Sequence, residues 1–383
     1  MKRPIVLALL AVCLAATAVR AQTPQPLALA PDSPRWELQG EAKATEYLGR
    51  KALYLAGGAA IVKDLELRDG VIDFDVATPA IRGFFGIQFR IADEGATSEW
   101  IYLRPHKSGY PDAIQYTPVL HTGLNWQLYN GPGFTAGLDI PKDTWFHMRV
   151  AIAGAQAKLY VADMEHPALV MDDLKSGSQQ GLVALAVLTG ATYFSNFEVR
   201  ATPPVPWVRH EPPMPSGTLT KWSLSPSLDA LATDLEQPLS AAARDAMQWQ
   251  DVQAEPPGFV VVNRYRDSPH PRVTFATDFS KRLDPQPGMR LVYARTTIDA
   301  DRDGVRKLLL GYSDDVSVFL NGRILYRGRS AQNFRDPGFL GIVNPENDTL
   351  YLPLKKGPNE LILAVSELGG GWGFICRLED SKN

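Results

Sequence analysis

The chain has 383 residues and a formal net charge of -3, with 45% hydrophobic and 21% charged residues. The length suggests about two domains, and the composition is ordinary for a globular protein. The net negative charge, together with the lack of a long Lys/Arg run, argues against a nucleic-acid-binding protein, because phosphate binding needs a concentrated basic face.

Residues 1–21 have the three parts of a secretory signal peptide. Lys2 and Arg3 form the charged start, residues 5–18 an apolar run, and residues 19–21 the small-x-small pattern before a cleavage site. The apolar run is shorter than the roughly 20 residues that a spanning helix needs. We therefore expect an exported chain, periplasmic or secreted, with no membrane span once the signal peptide is cleaved.

Two proline-containing stretches divide the rest of the chain. We predict a flexible lead-in at 22–34, a β-sandwich at 35–200, a Pro-rich linker at 201–217 and a second β-sandwich at 218–380. Cys13 leaves with the signal peptide, so Cys376 remains as one thiol, which we interpret as a buried small hydrophobe.

Alternating apolar and polar residues predict short antiparallel strands, each with one core face. The clearest runs are 71–76, 84–91 and 145–152. Leucines at 228, 231 and 235 have helical spacing, and residues 240–249 are Ala-rich. The predicted fold is all-β: two antiparallel jelly-roll sandwiches joined by the Pro-rich linker, with one or two short helices before the second sandwich.

The first sandwich resembles the concanavalin A-like (laminin-G-like) fold, and within it the group that contains 3-keto-disaccharide hydrolase domains. The segments that carry this resemblance are DGVIDFD (69–75), FGIQFR (85–90), DTWFHMR (143–149), KLYV (158–161) and YFSNFEV (193–199). The resemblance implies a sandwich with one concave sheet, and either sugar binding or a reaction on a glycan.

The second sandwich resembles the galactose-binding-like jelly roll that serves as the sugar-binding domain of family 2 glycoside hydrolases. The segment DDVSVFLNG (314–322) carries most of the resemblance, followed by LKKGPNELIL (354–363) and GGGWGF (369–374). Asn321 and Gly322 predict a two-residue hairpin turn. The glycine run at 369–371 with Trp372 is interpreted either as a ligand-lining loop or as a simple turn between strands.

Residues 99–130 are rich in aromatic and amide side chains. Sugars need a flat ring to stack on and planar groups that bond hydroxyls. We therefore predict a carbohydrate groove on the concave face, set against the alternative of an ordinary sheet surface with core aromatics. The predicted ligand-binding residues are Gln88, Arg90, Trp100, Tyr102, Arg104, Gln115, Tyr116, Trp126, Gln127 and Tyr129.

Catalysis in the same groove is the alternative function. Glycosidases use two carboxylates at a defined separation, and a lyase needs a base beside an acidic C–H. His106 and Glu99 are the candidate catalytic residues, with Asp73, Asp75, Asp112, His121 and His147 as further candidates. A third possibility is a structural or interaction protein.

Asp299, Asp301 and Asp303 have the spacing that opens a calcium loop. The twelfth position of that loop is Leu310, where a bidentate Glu is required, so a charged turn is the competing interpretation. No other cofactor is expected. The primary prediction is an exported carbohydrate-binding protein, and the sequence names neither the sugar nor an oligomeric state.

Overall fold

A computed structural model of the chain describes residues 25–79, 82–210, 212–267 and 283–379. The predicted signal peptide lies outside these residues. The regular secondary structure of the described chain is almost all antiparallel β-strand, with one α-helix, which confirms the predicted all-β sandwich class. None of the described helices combines the length and the apolar composition that a bilayer crossing requires.

The first half of the chain forms one 14-stranded antiparallel sheet. Its strands are β1 (Leu27–Leu29), β2 (Trp36–Tyr47), β3 (Arg50–Val62), β4 (Gly70–Ala77), β5 (Phe84–Ala92), β6 (Thr97–Leu103), β7 (Ile114–Leu120), β8 (Gly123–Leu124), β9 (Thr135–Ala136), β10 (Phe146–Ala153), β11 (Gln156–Val161), β12 (Leu169–Met171), β13 (Leu182–Thr189) and β14 (Thr192–Arg200). The order along the main path is β12-β11-β10-β4-β14-β3-β13-β5-β6-β7-β8. β1 pairs with β14, so part of the predicted flexible lead-in is an ordered strand.

The long strand β3 joins the two layers of this sandwich. Its residues 53–55 pair with β14, whereas residues 58–61 pair with β13. Between these segments Gly57 and Gly58 have φ angles of 76° and 130°, which L side chains rarely adopt. A Cβ on Gly58 would lie 2.0 Å from the carbonyl oxygen of Gln39. The two glycines therefore let β3 bend from one layer to the other.

The core lies between these layers and is filled by the apolar side chains of the alternating strands, as predicted. Ile72, Phe74 and Val76 on β4 are fully buried, as are Phe85 and Ile87 on β5. They belong to one continuous apolar cluster that includes residues from both layers. Because alternate residues face this core, the others form the two outer faces of the sandwich.

The Pro-rich stretch after β14 contains no strand or helix in its described part, which is 201–210 and 212–217. The Trp207 indole N–H donates to Asp172 at 3.0 Å, and the Lys158 ammonium lies 4.2 Å from the Trp207 ring centroid. This segment therefore packs on the first sandwich.

The second half contains a 7-stranded and a 4-stranded sheet. Its elements are β15 (Lys221–Leu224), β16 (Leu228–Asp229), α1 (Ala241–Ala246), β17 (Gln250–Gln253), β18 (Phe259–Val261), β19 (Arg290–Ala300), β20 (Gly304–Ser313), β21 (Asp315–Leu320), β22 (Arg323–Arg329), β23 (Asp348–Leu354), β24 (Gly357–Glu367) and β25 (Gly373–Glu379). The larger sheet runs β17-β15-β19-β24-β21-β22, and the smaller runs β18-β25-β20-β23. Cys376 is buried in the core between them.

One of the two predicted helices is present. Helix α1 begins after Ser240, whose hydroxyl accepts a hydrogen bond from the Ala243 backbone N–H at 3.1 Å. The helix predicted from the leucine spacing at 226–235 is wrong. Leu228 instead pairs with β19 in strand β16, Leu231 is exposed and Leu235 is buried, so the leucines share no face.

The predicted hairpin at Asn321 and Gly322 is confirmed. It joins β21 to β22, and both residues have positive φ angles of 50° and 74°. Such angles are those of a type I′ turn.

The loop after β8 connects the two sandwiches. The Gln127 backbone N–H donates to Gly370 O at 2.9 Å, and the Val343 N–H donates to Gln127 O at 2.9 Å. Leu128 and Tyr129 pack in an apolar cluster with residues of the second sandwich. This junction holds the loop at Gly370 against the first sandwich.

Candidate functional site

Two cross-strand rows define the outer face of the layer that contains β2, β3, β13, β5 and β6. Register places Ala59 opposite Gln39 and Ala186, and Gly86 opposite Ala186 and Tyr102. The next row runs Glu37, Ile61, Ala184, Gln88, Trp100 and Thr117. The first row therefore passes from small side chains to Tyr102, and the second passes from Ala184 through Gln88 to Trp100.

A groove of about 650 Å³ follows these rows. Small residues of β3 and β13 and the bend in β3 form its floor, because their short side chains leave the space above the sheet open. Gln88, Trp100, Trp126 and Leu124 form one wall, and Gly369 and Gly370 from the second sandwich form part of the rim. The groove is thus lined by both halves of the chain.

The aromatic wall is held together by ring contacts. The Trp100 and Tyr102 ring centroids are 4.7 Å apart, and both side chains are buried. The Arg104 guanidinium lies 5.2 Å from the Tyr102 ring centroid and 5.9 Å from that of Trp126. Trp126 is half-buried, so its ring is the most accessible aromatic surface in the groove.

Arg104 is fixed by polar contacts behind this wall. Its guanidinium donates to the Asp112 carboxylate at 3.0 Å, to the Tyr102 hydroxyl at 3.1 Å and to the Gln115 amide oxygen at 3.2 Å. Arg104 therefore orients Tyr102 and Trp126 rather than opening toward the groove. Removal of the Tyr102 ring from water raises the pKa of its hydroxyl, an effect that Arg104 opposes.

The Gln88 side chain has no hydrogen-bond partner among the described residues, although it is half-buried in the groove wall. The Trp100 indole N–H is also buried without a partner in the described part of the chain. An amide carries two donors and an acceptor, so Gln88 presents unused hydrogen-bonding capacity beside an aromatic surface.

The structure brings together Gln88, Trp100, Tyr102, Arg104 and Trp126 from the predicted set. Arg90 was predicted to bind the ligand, but it does not line the groove. The ladder between β5 and β6 is irregular between Phe89 and Ala92, and Arg90 has a φ of 52°. This bulge breaks the alternation, so the Arg90 guanidinium is buried and donates to Arg68 O at 2.8 Å and to Gly154 O at 2.6 Å. Burial lowers the pKa of the Arg90 guanidinium, and the nearby negative charges of Glu99 and Asp69 oppose this shift.

Glu99 and Tyr116 lie inside the first sandwich and not in the groove. The fully buried Glu99 carboxylate accepts hydrogen bonds from the Tyr116 hydroxyl at 2.7 Å and from the Ser176 hydroxyl at 2.6 Å. Burial raises the pKa of Glu99, and these hydrogen bonds oppose the rise. Burial also raises the pKa of Tyr116 well above its usual value. Both residues stabilise the interior, since strand alternation turns them away from Trp100.

Gln115, Gln127 and Tyr129 lie beneath or within the connecting loop. The Gln115 amide donates to Tyr129 O at 2.8 Å. The Gln127 amide donates to Leu340 O at 3.0 Å and accepts from the Ser313 hydroxyl at 2.8 Å. Tyr129 bonds Glu255 and Arg264. Gln127 and Tyr129 therefore hold the junction between the sandwiches, whereas Gln115 anchors the connecting loop within the first sandwich.

His106 lies beside Phe84, with the ring centroids 5.1 Å apart, in a one-turn 3₁₀ helix, Pro105–Lys107. Its Nδ1 is buried without a partner among the described residues. Burial lowers the pKa of His106, and Arg82, Arg104 and Lys107 lower it further. His106 is not among the side chains that line the groove.

The predicted calcium residues do not converge. In the described part of the chain, no group of three or more His, Cys, Asp or Glu side chains is placed to hold a metal ion. Asp299 lies within β19 opposite Pro358, and Asp303 accepts hydrogen bonds from Lys356 N at 2.8 Å and Lys355 Nζ at 3.3 Å. Asp303 thereby stabilises a hairpin end.

Sequence reasoning missed the floor of the groove. Ala59, Ala186 and Gly57–Gly58 carry no reactive group, and only the glycine pair inside a strand signals a bend or a close backbone approach. The sequence allows two interpretations of the loop at Gly369 and Gly370, and in the structure both glycines lie at the rim of the groove.

Comparisons with known proteins show distant similarity. No family model and no curated protein matches the chain. Among solved structures, carbohydrate-binding module CBM66 from Bacillus subtilis is 14% identical with a TM-score of 0.34 over 43% of this chain and 93% of that chain. A Bacillus subtilis protein with a galectin-like fold is 11% identical, TM-score 0.34, over 43% and 89%. An alginate lyase from Chlorella virus is 13% identical, TM-score 0.29, over 43% and 93%. Similarity at this level indicates neither a ligand nor a reaction for this chain.

Proposed function

We propose that the chain is an exported carbohydrate-binding protein that holds a glycan in the groove of the first sandwich. One observation carries the proposal: the cross-strand rows place small residues beside the unengaged amide of Gln88, and the loop after β8 places Trp126 at the same groove. A pyranose presents an apolar C–H face and several hydroxyls. An indole face and a planar amide are matched to these two surfaces.

The placement of the acid–base candidates favours binding over hydrolysis or elimination. A reaction on a glycan needs an acid or base within hydrogen-bond reach of the sugar. Glu99 is bonded inside the core, and His106 is not among the residues that line the groove. The groove wall instead presents aromatic and amide side chains. Export is proposed from the charged, apolar and small-residue pattern of residues 1–21.

The test is a glycan array on the purified chain, followed by titration of the best glycan against two variants. Trp126→Ala removes the stacking surface, and Ala59→Leu fills the floor. We expect each variant to weaken binding at least tenfold, which corresponds to about 1.4 kcal/mol. Unfolding curves that match the parent would show that the loss is local to the groove.

Two matched substitutions serve as controls. Trp207 packs against Lys158 outside the groove, and Ala44 is exposed on β2. Trp207→Ala and Ala44→Leu should leave glycan affinity unchanged. Failure of the parent chain to retain any glycan would end the proposal, whereas release of shortened or unsaturated products would establish the hydrolase or lyase alternative.

A further inference from the structure

The second sandwich carries its own cavity, of about 790 Å³, on the outer face of the 7-stranded sheet. Register assembles its lining. Ser223 on β15 lies opposite Asp251 on β17 and Arg295 on β19, and Thr297 lies opposite Glu360 on β24. Because residues two apart on a strand share a face, Lys221, Gln253 and Thr297 join Asp251 and Arg295 on this surface.

Arg295 differs from the two carboxylates of the cavity. Its guanidinium lies 4.1 Å from the Trp249 ring centroid, and its side chain has no hydrogen bond or ion pair among the residues that the structure describes. The carboxylates beside it are engaged: Glu360 is paired with Arg244, and Asp251 accepts a hydrogen bond from the Ser223 hydroxyl at 2.7 Å. The donors of Arg295 are therefore available in the cavity, as is the exposed ammonium of Lys221, which likewise has no hydrogen bond or ion pair among the described residues.

The platform under Arg295 is itself fixed. The Trp249 indole N–H donates to Arg244 O at 2.9 Å, and Arg244 is anchored on Glu360. Stacking on an indole restricts the plane of a guanidinium and leaves its N–H edges free. A guanidinium held in this way matches the two oxygens of a planar carboxylate.

We propose that this cavity binds a saccharide that bears a carboxylate, of the uronic acid class. Arg295 takes the carboxylate through two N–H groups, and Lys221 adds positive charge at the same surface. Asp251 and Gln253 accept hydrogen bonds from sugar hydroxyls. Asp251 is bonded to a neutral hydroxyl and keeps its negative charge. That charge favours a singly charged carboxylate over a phosphate, because a phosphate carries up to two negative charges and is repelled more strongly.

The test compares glucuronate with glucose, because the two differ in the carboxylate at C6. Binding of each is measured by calorimetric titration and by saturation-transfer NMR on the full chain. We expect glucuronate to bind at least tenfold more tightly than glucose. Arg295→Ala should abolish that preference, and Arg295→Lys should reduce it about threefold or more, because the charge stays and the bidentate fork is lost.

The controls separate this cavity from the groove of the first sandwich. Arg302 is an exposed arginine on the turn between β19 and β20, and Arg302→Ala should bind glucuronate as the parent does. Trp126→Ala should also leave glucuronate binding intact, while it weakens binding in the first groove. Equal affinity for the two sugars, or glucuronate binding that survives in folded Arg295→Ala, would refute the second site without touching the first.

Discussion

The first sandwich has two outer faces, and they differ in how their polar side chains are bonded. On the face formed by β10, β4 and β14, His147 lies opposite Asp75 and Arg149 lies opposite Asp73. The two ring nitrogens of His147 lie 2.7 Å from Asp75 and 2.9 Å from Asp73. Arg149 donates to Asp73 at 2.7 Å. On the groove face, the Gln88 amide has no described partner.

This contrast is the basis on which the proposed glycan site is assigned to the groove face. Arg50 and Asn196 bond Asp75 at 2.8 Å and 2.7 Å, and Arg200 bonds Asp73. The cluster has the residue types of a catalytic site, and its members use their donors and acceptors on one another. Residue type alone would favour this face, whereas the number of polar side chains without a hydrogen-bond partner favours the groove face.

The largest expected effect tests the structural role of this cluster. Asp73→Asn would remove the charge shared by His147, Arg149 and Arg200. Breaking a buried ion pair costs about 3–5 kcal/mol. These three partners are about one third exposed, so solvent screening places the loss near the lower end, about 3 kcal/mol. Urea unfolding measures this loss, and glycan affinity should stay at the parent value.

The exposed Asp32 provides the matched control. Asp32→Asn should change the free energy of unfolding by less than about 0.5 kcal/mol. A stable Asp73→Asn protein that has lost glycan binding would reverse the comparison, since the bonded face would then be the functional one.

A second effect concerns Asp314, a carboxylate bonded to backbone N–H groups. It is buried and accepts from Leu368 N at 2.6 Å and Gly369 N at 3.0 Å. Burial raises its pKa to about 8; the Leu368 and Gly369 hydrogen bonds lower it, whereas Glu367 and Asp315 raise it. The unfolded chain releases this proton near its ordinary pKa of 3.8. Between these two pKa values the native state binds more protons than the unfolded state. The stability that the Asp314 carboxyl contributes is therefore lost as the pH rises through 8.

Asp314→Asn isolates this contribution, because the amide does not titrate. Relative to the variant, the parent chain should lose about 2 kcal/mol of unfolding free energy between pH 6 and pH 8. Urea unfolding at both pH values measures the difference. Parallel pH profiles for the two proteins would show that the Asp314 pKa is not raised in the native state.

Period-two alternation predicted the groove face, because register follows from the same pattern that fills the core. Gln88, Trp100 and Tyr102 could be placed on one surface in this way. Arg90 could not, since a bulge at Phe89–Ala92 reverses one side chain and has no reliable local signal. The pattern is informative only while the ladder stays regular.

Gln115 and Gln127 were predicted to face the ligand, but distant parts of the chain cover them. Gln115 belongs to the predicted face, but the loop that contains Tyr129 lies over it. Gln127 bonds residues 213 and 186 positions away. Such contacts depend on how two sandwiches pack, which alternation along one strand does not describe. Ala59 and Ala186 were missed because a groove floor is made by small size, not by chemistry.

The smallest expected effect is that of Gln88→Ala, which is compared with Gln115→Ala. The two glutamines lie in neighbouring cross-strand rows. Gln88→Ala removes an amide without a described partner, so unfolding free energy should change by less than about 0.5 kcal/mol. Glycan affinity should fall about fivefold, the equivalent of one hydrogen bond of about 1 kcal/mol. Gln115→Ala removes an amide bonded to Arg104 and Tyr129 and should cost about 1–3 kcal/mol of stability. Urea unfolding and glycan titration on both variants measure the pair. If Gln88→Ala instead lowers stability and leaves affinity intact, the amide belongs to the fold, and the difference between the two faces disappears.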